Sequence, residues 1–207
     1  MIDNDLHCAN DRLQNHRSAV QHSRTDSSEM SETPETVARP HFSERPPSQS
    51  ASDFELRQAG SAAQIEAVRE LFLEYAKSLS FNLCFQSFDK ELAGLPGDYA
   101  PPDGRLLIAA NEHGPAGCVA LHKIENEICE MKRLYVRPQF RGRGLGKILA
   151  LRIIAVAREI GYKRLRLDTV EADMGTAIAM YRKLGFREIA PYRVNPIEGA
   201  LYMELQL

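Results

Sequence analysis

The sequence predicts an α/β (α+β) domain, a mixed and mostly antiparallel sheet covered by helices. Two segments carry apolar residues at three- and four-residue spacing, the mark of amphipathic helices. Between them and after them lie short apolar or alternating runs bounded by turn residues, which read as strands. Three of those runs follow one another with links too short for a crossover, so they form an antiparallel meander.

The elements follow in order. Phe54–Ala59 is a short strand. Ile65, Val68, Phe72, Tyr75 and Leu79 share one helical face, and Ser61 stands where an N-cap belongs. Ser87–Leu92 suggests a second, short helix. It ends at Gly94-Leu95-Pro96-Gly97, and a loop runs on through Pro101-Pro102-Asp103-Gly104. The meander is Arg105–Ala110, Ala116–Lys123 and Ile128–Val136, turning at His113-Gly114-Pro115 and at Glu125-Asn126-Glu127. Pro138 stops its last strand. A helix over Leu145–Ile160 puts Leu145, Ile148, Leu149, Ile153, Val156 and Ile160 on one face, with Gly161 as the C-terminal stop. Lys163–Val170 is a strand, Thr176–Leu184 a helix ending at Gly185, and Phe186–Ala190 and Ala200–Leu207 are the last strands. The order is βααβββαβαββ.

Composition divides the chain at residue 52. The first 52 residues hold nine Ser, four Pro and four of the six His, with five basic and eight acidic side chains. That mixture buries too little apolar surface to offset chain entropy and reads as a disordered tail. It has no apolar core like that of a secretory signal, and its acidic residues do not suit a transit peptide. Residues 53–207 form the folded domain. Their 21 basic and 20 acidic residues give no overall pull toward nucleic acid or a membrane. No apolar run approaches the length of a membrane span. Cys8, Cys84, Cys118 and Cys129 show no close pairing that would suggest disulfides or metal ligands, and Cys118 and Cys129, in strand-like runs, read as small core hydrophobes of a cytoplasmic protein.

The stretch Arg141-Gly142-Arg143-Gly144-Leu145-Gly146-Lys147 carries the chemistry. Its glycines let the backbone curl and expose N–H groups, and the helix start behind it adds unpaired N–H groups and the positive end of a dipole. This is an anion site of the kind that holds phosphate or pyrophosphate. A Walker loop needs Gly and Ser or Thr where Arg141 and Ile148 stand. A dinucleotide fingerprint needs Gly where Lys147 stands. Both are excluded. Between Met131 and Lys147 there are six basic and no acidic residues, which suits a ligand with several phosphates. Stacking aromatics other than Tyr135 and Phe140 are missing there, which argues against nucleic acid.

Arg141-x-x-Gly144-x-Gly146, after a strand carrying Glu130 and before a helix, resembles the acyl-CoA-binding motif of the GNAT superfamily of N-acyltransferases. Ala177-Ile178-Ala179-Met180-Tyr181-Arg182-Lys183-Leu184-Gly185-Phe186 resembles that family's second signature, and the element order matches its fold. The resemblance covers residues 53–207. It implies acetyl-CoA as co-substrate and no metal. The pyrophosphate would lie on the backbone of Arg141, Gly142, Arg143, Gly144, Leu145 and Gly146, with Arg141 and Lys147 adding charge. The pantetheine arm would pair like a strand with Leu134, Tyr135 and Val136, beside a bulge that opens the sheet. Many relatives carry Asn seven residues before the helix Tyr; Met174 stands there in this chain, with Asp173 and Thr176 as neighbours.

The same resemblance assigns the chemistry. Glu130 is the candidate general base; for it to serve, burial should raise its pKa or the site must lower that of the amine. Tyr181 is the candidate general acid for the leaving thiolate, and the Leu134 N–H the oxyanion donor. The acceptor is read as a primary amine on a small molecule, attacking directly in a ternary complex. Phe81, Phe85, Tyr99, Tyr192 and Arg193 are the candidate substrate contacts, with Arg193 suited to a carboxylate. His113 and His122 look like turn and strand-surface residues and receive no role. A protein N-terminus or lysine as acceptor, and a non-catalytic acyl-CoA-binding module, remain the alternatives. No nucleic acid or membrane partner is expected, and a homodimer is an expectation by resemblance alone.

Overall fold

The central meander organises the molecule. The computed structural model describes residues 53–83 and 87–207. The tail over 1–52, together with Cys84 and Phe85, lies outside the described residues. The elements are β1 (Glu55–Gln58), α1 (Ala62–Lys77), α2 (Phe88–Ala93), β2 (Arg105–Asn111), β3 (Gly114–Glu125), β4 (Ile128–Val136), α3 (Leu145–Ile160), β5 (Arg164–Val170), α4 (Glu171–Lys183), β6 (Arg187–Glu188) and β7 (Ala200–Gln206), with single 3₁₀ turns at Gly97–Tyr99 and Pro138–Phe140. The sheet order is β1-β2-β3-β4-β5-β7-β6. All neighbours are antiparallel except β4 and β5.

The expected order of elements is the observed one. Ser61 caps α1: its hydroxyl accepts from the Gln64 N–H, and the Gln64 side chain accepts in return from the Ser61 N–H. The helix after the glycine loop starts at Leu145 and ends at Gly161, whose φ of 104° suits glycine. Two elements differ. α4 begins at Glu171 and not at Thr176, because one helical turn forms before a break at Met174 (φ −126°, ψ 24°). The strand expected over Phe186–Ala190 shortens to Arg187–Glu188; beyond it the Ile189 N–H still reaches the Tyr202 carbonyl before Pro191 ends the pairing.

The sheet separates two apolar layers. On one face α3 packs Leu145, Leu149 and Ile153 onto Leu107, Val119, Leu121, Met131, Leu165 and Leu167. On the other, Val68, Leu71 and Phe72 of α1 pack onto Leu106, Ile108, Cys118 and Ala120. Fully buried side chains such as Phe72 and Leu149 contribute roughly 2 kcal/mol each. Cys118 and Cys129 are buried free thiols within these layers.

The sheet opens in one place. β4 and β5 pair only from Ile128 to Glu130, opposite Arg164 to Arg166, and then diverge. The cause is a bulge in β4. Cys118 faces Tyr135 and Ala120 faces Lys132, so Arg133 and Leu134 together oppose Val119. Arg133 sits at φ 55°, a left-handed conformation that costs a non-glycine residue about 1–2 kcal/mol. Its side chain shows what holds it there. The guanidinium donates twice to Glu91 of α2, at 2.9 and 2.5 Å, and lies 5.1 Å from the Phe88 ring centre and 6.0 Å from that of Tyr75. Arg133 is only 5% exposed, so this pair is a buried one.

Removing one partner of a buried ion pair leaves an uncompensated charge. Glu91→Ala is therefore expected to lower the free energy of urea unfolding by about 3 kcal/mol or more. A loss near zero would show that Arg133 and its bulge do not depend on α2.

Candidate active site

The divergence of β4 and β5 forms a cleft of about 700 Å³. One wall is Met131–Val136 and the other Leu167–Val170. Its floor at one end is the glycine loop, where Arg141, Gly142, Gly144, Leu145, Gly146 and Lys147 all line it. Gly142 and Gly144 have φ of 75° and 80°, so a side chain at either would be strained. Gly144 is the N-cap of α3. No side chain caps that helix and no acidic residue occupies its first turn, so its first N–H groups stay available beside the cleft.

The sequence-predicted donor residues gather here. Leu134, Tyr135 and Val136 line the cleft, as do all the loop residues except Arg143, whose guanidinium lies 5.8 Å from the Phe140 ring centre. Arg141 donates through Nε to the Val136 carbonyl at 2.9 Å and stacks over Tyr135. Tyr181 of α4 lines the same cleft. It is 6% exposed, and burial pushes its phenol well above the ordinary value. It therefore stays protonated across the working range and is a standing donor. Met174, seven residues before Tyr181, lines the cleft too, and its thioether accepts from the Thr169 hydroxyl at 3.1 Å. Asp173 accepts from the Ser80 hydroxyl at 2.7 Å and its N–H at 3.4 Å, tying the segment after α1 to the start of α4.

Glu130 corrects one expectation. It is 1% exposed, and burial alone would raise its pKa. His122, Lys132, Arg193 and Tyr192 outweigh that and hold it at about 2. His122 Nε2 lies 2.7 Å from one carboxylate oxygen, the Tyr192 hydroxyl donates to the other at 2.6 Å, and Arg193 approaches both within 3.3 Å. A carboxylate so bound is a weak base. His122, given no role from the sequence, is its neighbour on β3. Counting back from the turn at Asn126 would have found it, since the hairpin sets His122 opposite Glu130.

The expected substrate contacts divide. Phe81 lines the cleft with Leu79 and Leu83 and helps roof it. Phe85 lies outside the described residues. Tyr99 is 5% exposed, donates to Glu91 at 2.6 Å and packs against Phe72 and His122, so it supports α2 and is not among the lining residues. Tyr192 and Arg193 are also not among them. Both hold Glu130, and Arg193 is further taken up by Asp168, which accepts from Asn195 as well at 2.9 Å. Arg193 thus lacks the freedom to hold a carboxylate as expected. Sequence reading missed Lys132, Asp168 and Asn195, which line the cleft at this end.

A model of the Acetyltransferase (GNAT) family matches residues 65–186, well over half of the chain. The chain belongs to this family. Among its relatives is an uncharacterized N-acetyltransferase of Schizosaccharomyces pombe, 41% identical over 145 residues that cover 69% of this chain and 88% of the relative. Another, from Dictyostelium discoideum, is 32% identical and covers 64% of this chain and 89% of the relative. The fold recurs in a Staphylococcus aureus GNAT acetyltransferase (TM-score 0.62, 20% identity, 74% of this chain and 98% of that one). It recurs also in the PaiA N-acetyltransferase of Thermoplasma acidophilum, solved with coenzyme A (TM-score 0.58, 19% identity, 74% and 99%). This GNAT domain is an acyltransferase of the N-acetyltransferase kind. Among its described residues no helix is long and apolar enough to cross a membrane, and no group of three acidic, His or Cys side chains is arranged to hold a metal.

The Glu130 cage has a pH signature. A carboxyl whose folded pKa is depressed adds stability that is complete above its ordinary 4.5 and fades as pH falls toward about 2. The stability gap between the wild type and Glu130→Gln is expected to narrow steadily from pH 5 to pH 2.5 in urea unfolding. A gap that stays constant would mean the carboxylate is not held in its charged form.

Proposed function

We propose that this chain moves the acetyl group of acetyl-CoA to a primary amine of a small molecule, by direct attack in a ternary complex. The observation that carries the reading is the continuity of the cleft. It joins the glycine loop, the parted strands, Tyr181 and a polar end roofed by Phe81 in a single space. The domain that does this is residues 53–207, acting as a cytoplasmic enzyme. The coenzyme A held by the Thermoplasma protein supports the donor.

The donor's pyrophosphate rests on the N–H groups from Arg141 to Gly146, with Lys147 and Arg141 supplying charge. Leu134 to Val136 offer strand-like partners to the pantetheine arm, because β5 has turned away from them. The Leu134 N–H meets the carbonyl oxygen as it becomes an oxyanion. Tyr181 donates to the sulfur as it leaves; with its phenol pushed up, its help is a strong hydrogen bond more than full proton transfer.

The attacking amine must lose a proton. Glu130, held at about 2 by its partners, is a weak base. In this reading a water carries the proton from the cleft toward His122, which is not itself among the lining residues, and Glu130 fixes the orientation of the His122 ring. The tie between Ser80 and Asp173 holds the segment after α1 to the start of α4 beside the cleft, which favours a small acceptor over a protein chain.

Thiol release measured over a panel of amines tests the reaction. Tyr181→Phe is expected to keep the rise in melting temperature caused by acetyl-CoA while losing at least about tenfold in kcat. Unchanged turnover would remove Tyr181 from the mechanism. A melting temperature unmoved by millimolar acetyl-CoA or coenzyme A would overturn the donor assignment.

A further inference from the structure

The face that carries Glu130 holds several charged side chains, and nearly all are spoken for. Arg133 is bound to Glu91, Arg166 to Glu204, and Arg193 to Asp168 and Glu130. Each carboxylate there accepts from at least one cation or hydroxyl. Lys132 differs. It follows Glu130 by two residues on β4, is partly buried, and lines the cleft. Among the described residues its ammonium has no hydrogen-bond partner and no carboxylate within 4.0 Å. It feels Glu130 only at longer range, and that carboxylate's oxygens are already occupied by His122, Tyr192 and Arg193.

A partly buried ammonium with no protein acceptor gains by meeting a carboxylate. Burial, with Arg133 and Arg193 nearby, lowers the pKa of Lys132 from its ordinary value. A carboxylate brought to it would offset all three effects. Among the described residues on this face, the carboxylates already have hydrogen-bond partners, and Lys132 is the cation left without one.

We propose that Lys132 binds a carboxylate of the acceptor, which makes the acceptor a free amino acid of short reach and not a simple amine or a peptide. The proposal rests on the acetyl-transfer reading and narrows it. Lys132 lies two positions before Leu134, across the bulge at Arg133, and both residues line the cleft. A molecule whose amine attacks the carbonyl held at the Leu134 N–H and whose carboxylate is at Lys132 spans only a few bonds. The positive field of Lys132 also disfavours an ammonium beside it, which helps the amine arrive neutral.

The test compares free amino acids, including those with a second carboxylate, with the amines left when their α-carboxyl is removed, and with short peptides blocked at the C-terminus. Coenzyme A release gives kcat/KM for each. The wild type is expected to prefer an amino acid to its decarboxylated amine. Lys132→Met should shrink that preference at least tenfold, mainly through KM. Lys132→Arg should restore part of it. The melting-temperature rise with acetyl-CoA, retained in both variants, shows that they fold and bind the donor. Equal use of decarboxylated amines, acetylation of peptides alone, or a preference untouched by Lys132→Met would overturn the proposal and leave acetyl transfer standing. Release from no member of any set would overturn both the proposal and the small-molecule reading.

Discussion

Everything at this site depends on one residue held in an unfavourable backbone conformation. Arg133 at φ 55° inserts an extra residue into β4, and the strand swings away from β5 directly beyond Glu130. Without that divergence the two strands would satisfy each other's backbone groups and no cleft would exist. The conformational cost is offset by contacts made far away in sequence: two hydrogen bonds to Glu91 and the faces of Phe88 and Tyr75. Strain of this kind persists only where the surroundings over-determine it. The short helix α2, which touches no sheet hydrogen bond, is thereby what keeps the sheet open.

The opening divides the cleft by chemistry. At the α3 end the available groups are backbone N–H donors and exposed cations, with no acidic residue in the first helical turn. At the other end, charges are paired in a tight web of Glu130, His122, Tyr192, Arg193, Asp168 and Asn195. That web fixes the loop between β6 and β7 over the sheet. It also explains why a buried glutamate is held so strongly ionised: three donors and a nearby lysine outweigh the cost of burial.

Much of the fold was legible because its signals are local. The apolar spacing of α3 together with Gly161 gave its two ends, and Ser61 gave the start of α1. The glycine loop was legible because the spacing of Arg141, Gly144 and Gly146 is a short-range pattern. What was not legible depends on long-range pairing. An arginine carries no local signal for positive φ, so the place of the bulge came only with Glu91, 42 residues away. The fate of Glu130 turned on Tyr192 and Arg193, more than 60 residues off, whose closing over the sheet nothing in the local sequence announces. Between these extremes, His122 was within reach through the hairpin register, since only a turn of known centre separates it from Glu130. The extra turn before Met174 was hidden by Gly175, a residue that ordinarily argues against helix.

The central claim is that the parted strands and the glycine loop form one binding surface for coenzyme A. Its most direct test is a titration of the isotope-labelled protein with coenzyme A, followed through backbone amide resonances. The account predicts that the largest shifts fall on the amides of Gly142, Gly144, Gly146 and Lys147 and, in the same titration, on Leu134 and Val136, while β1 and β6 stay still. Shifts confined to the loop, with Leu134 and Val136 unmoved, would contradict it.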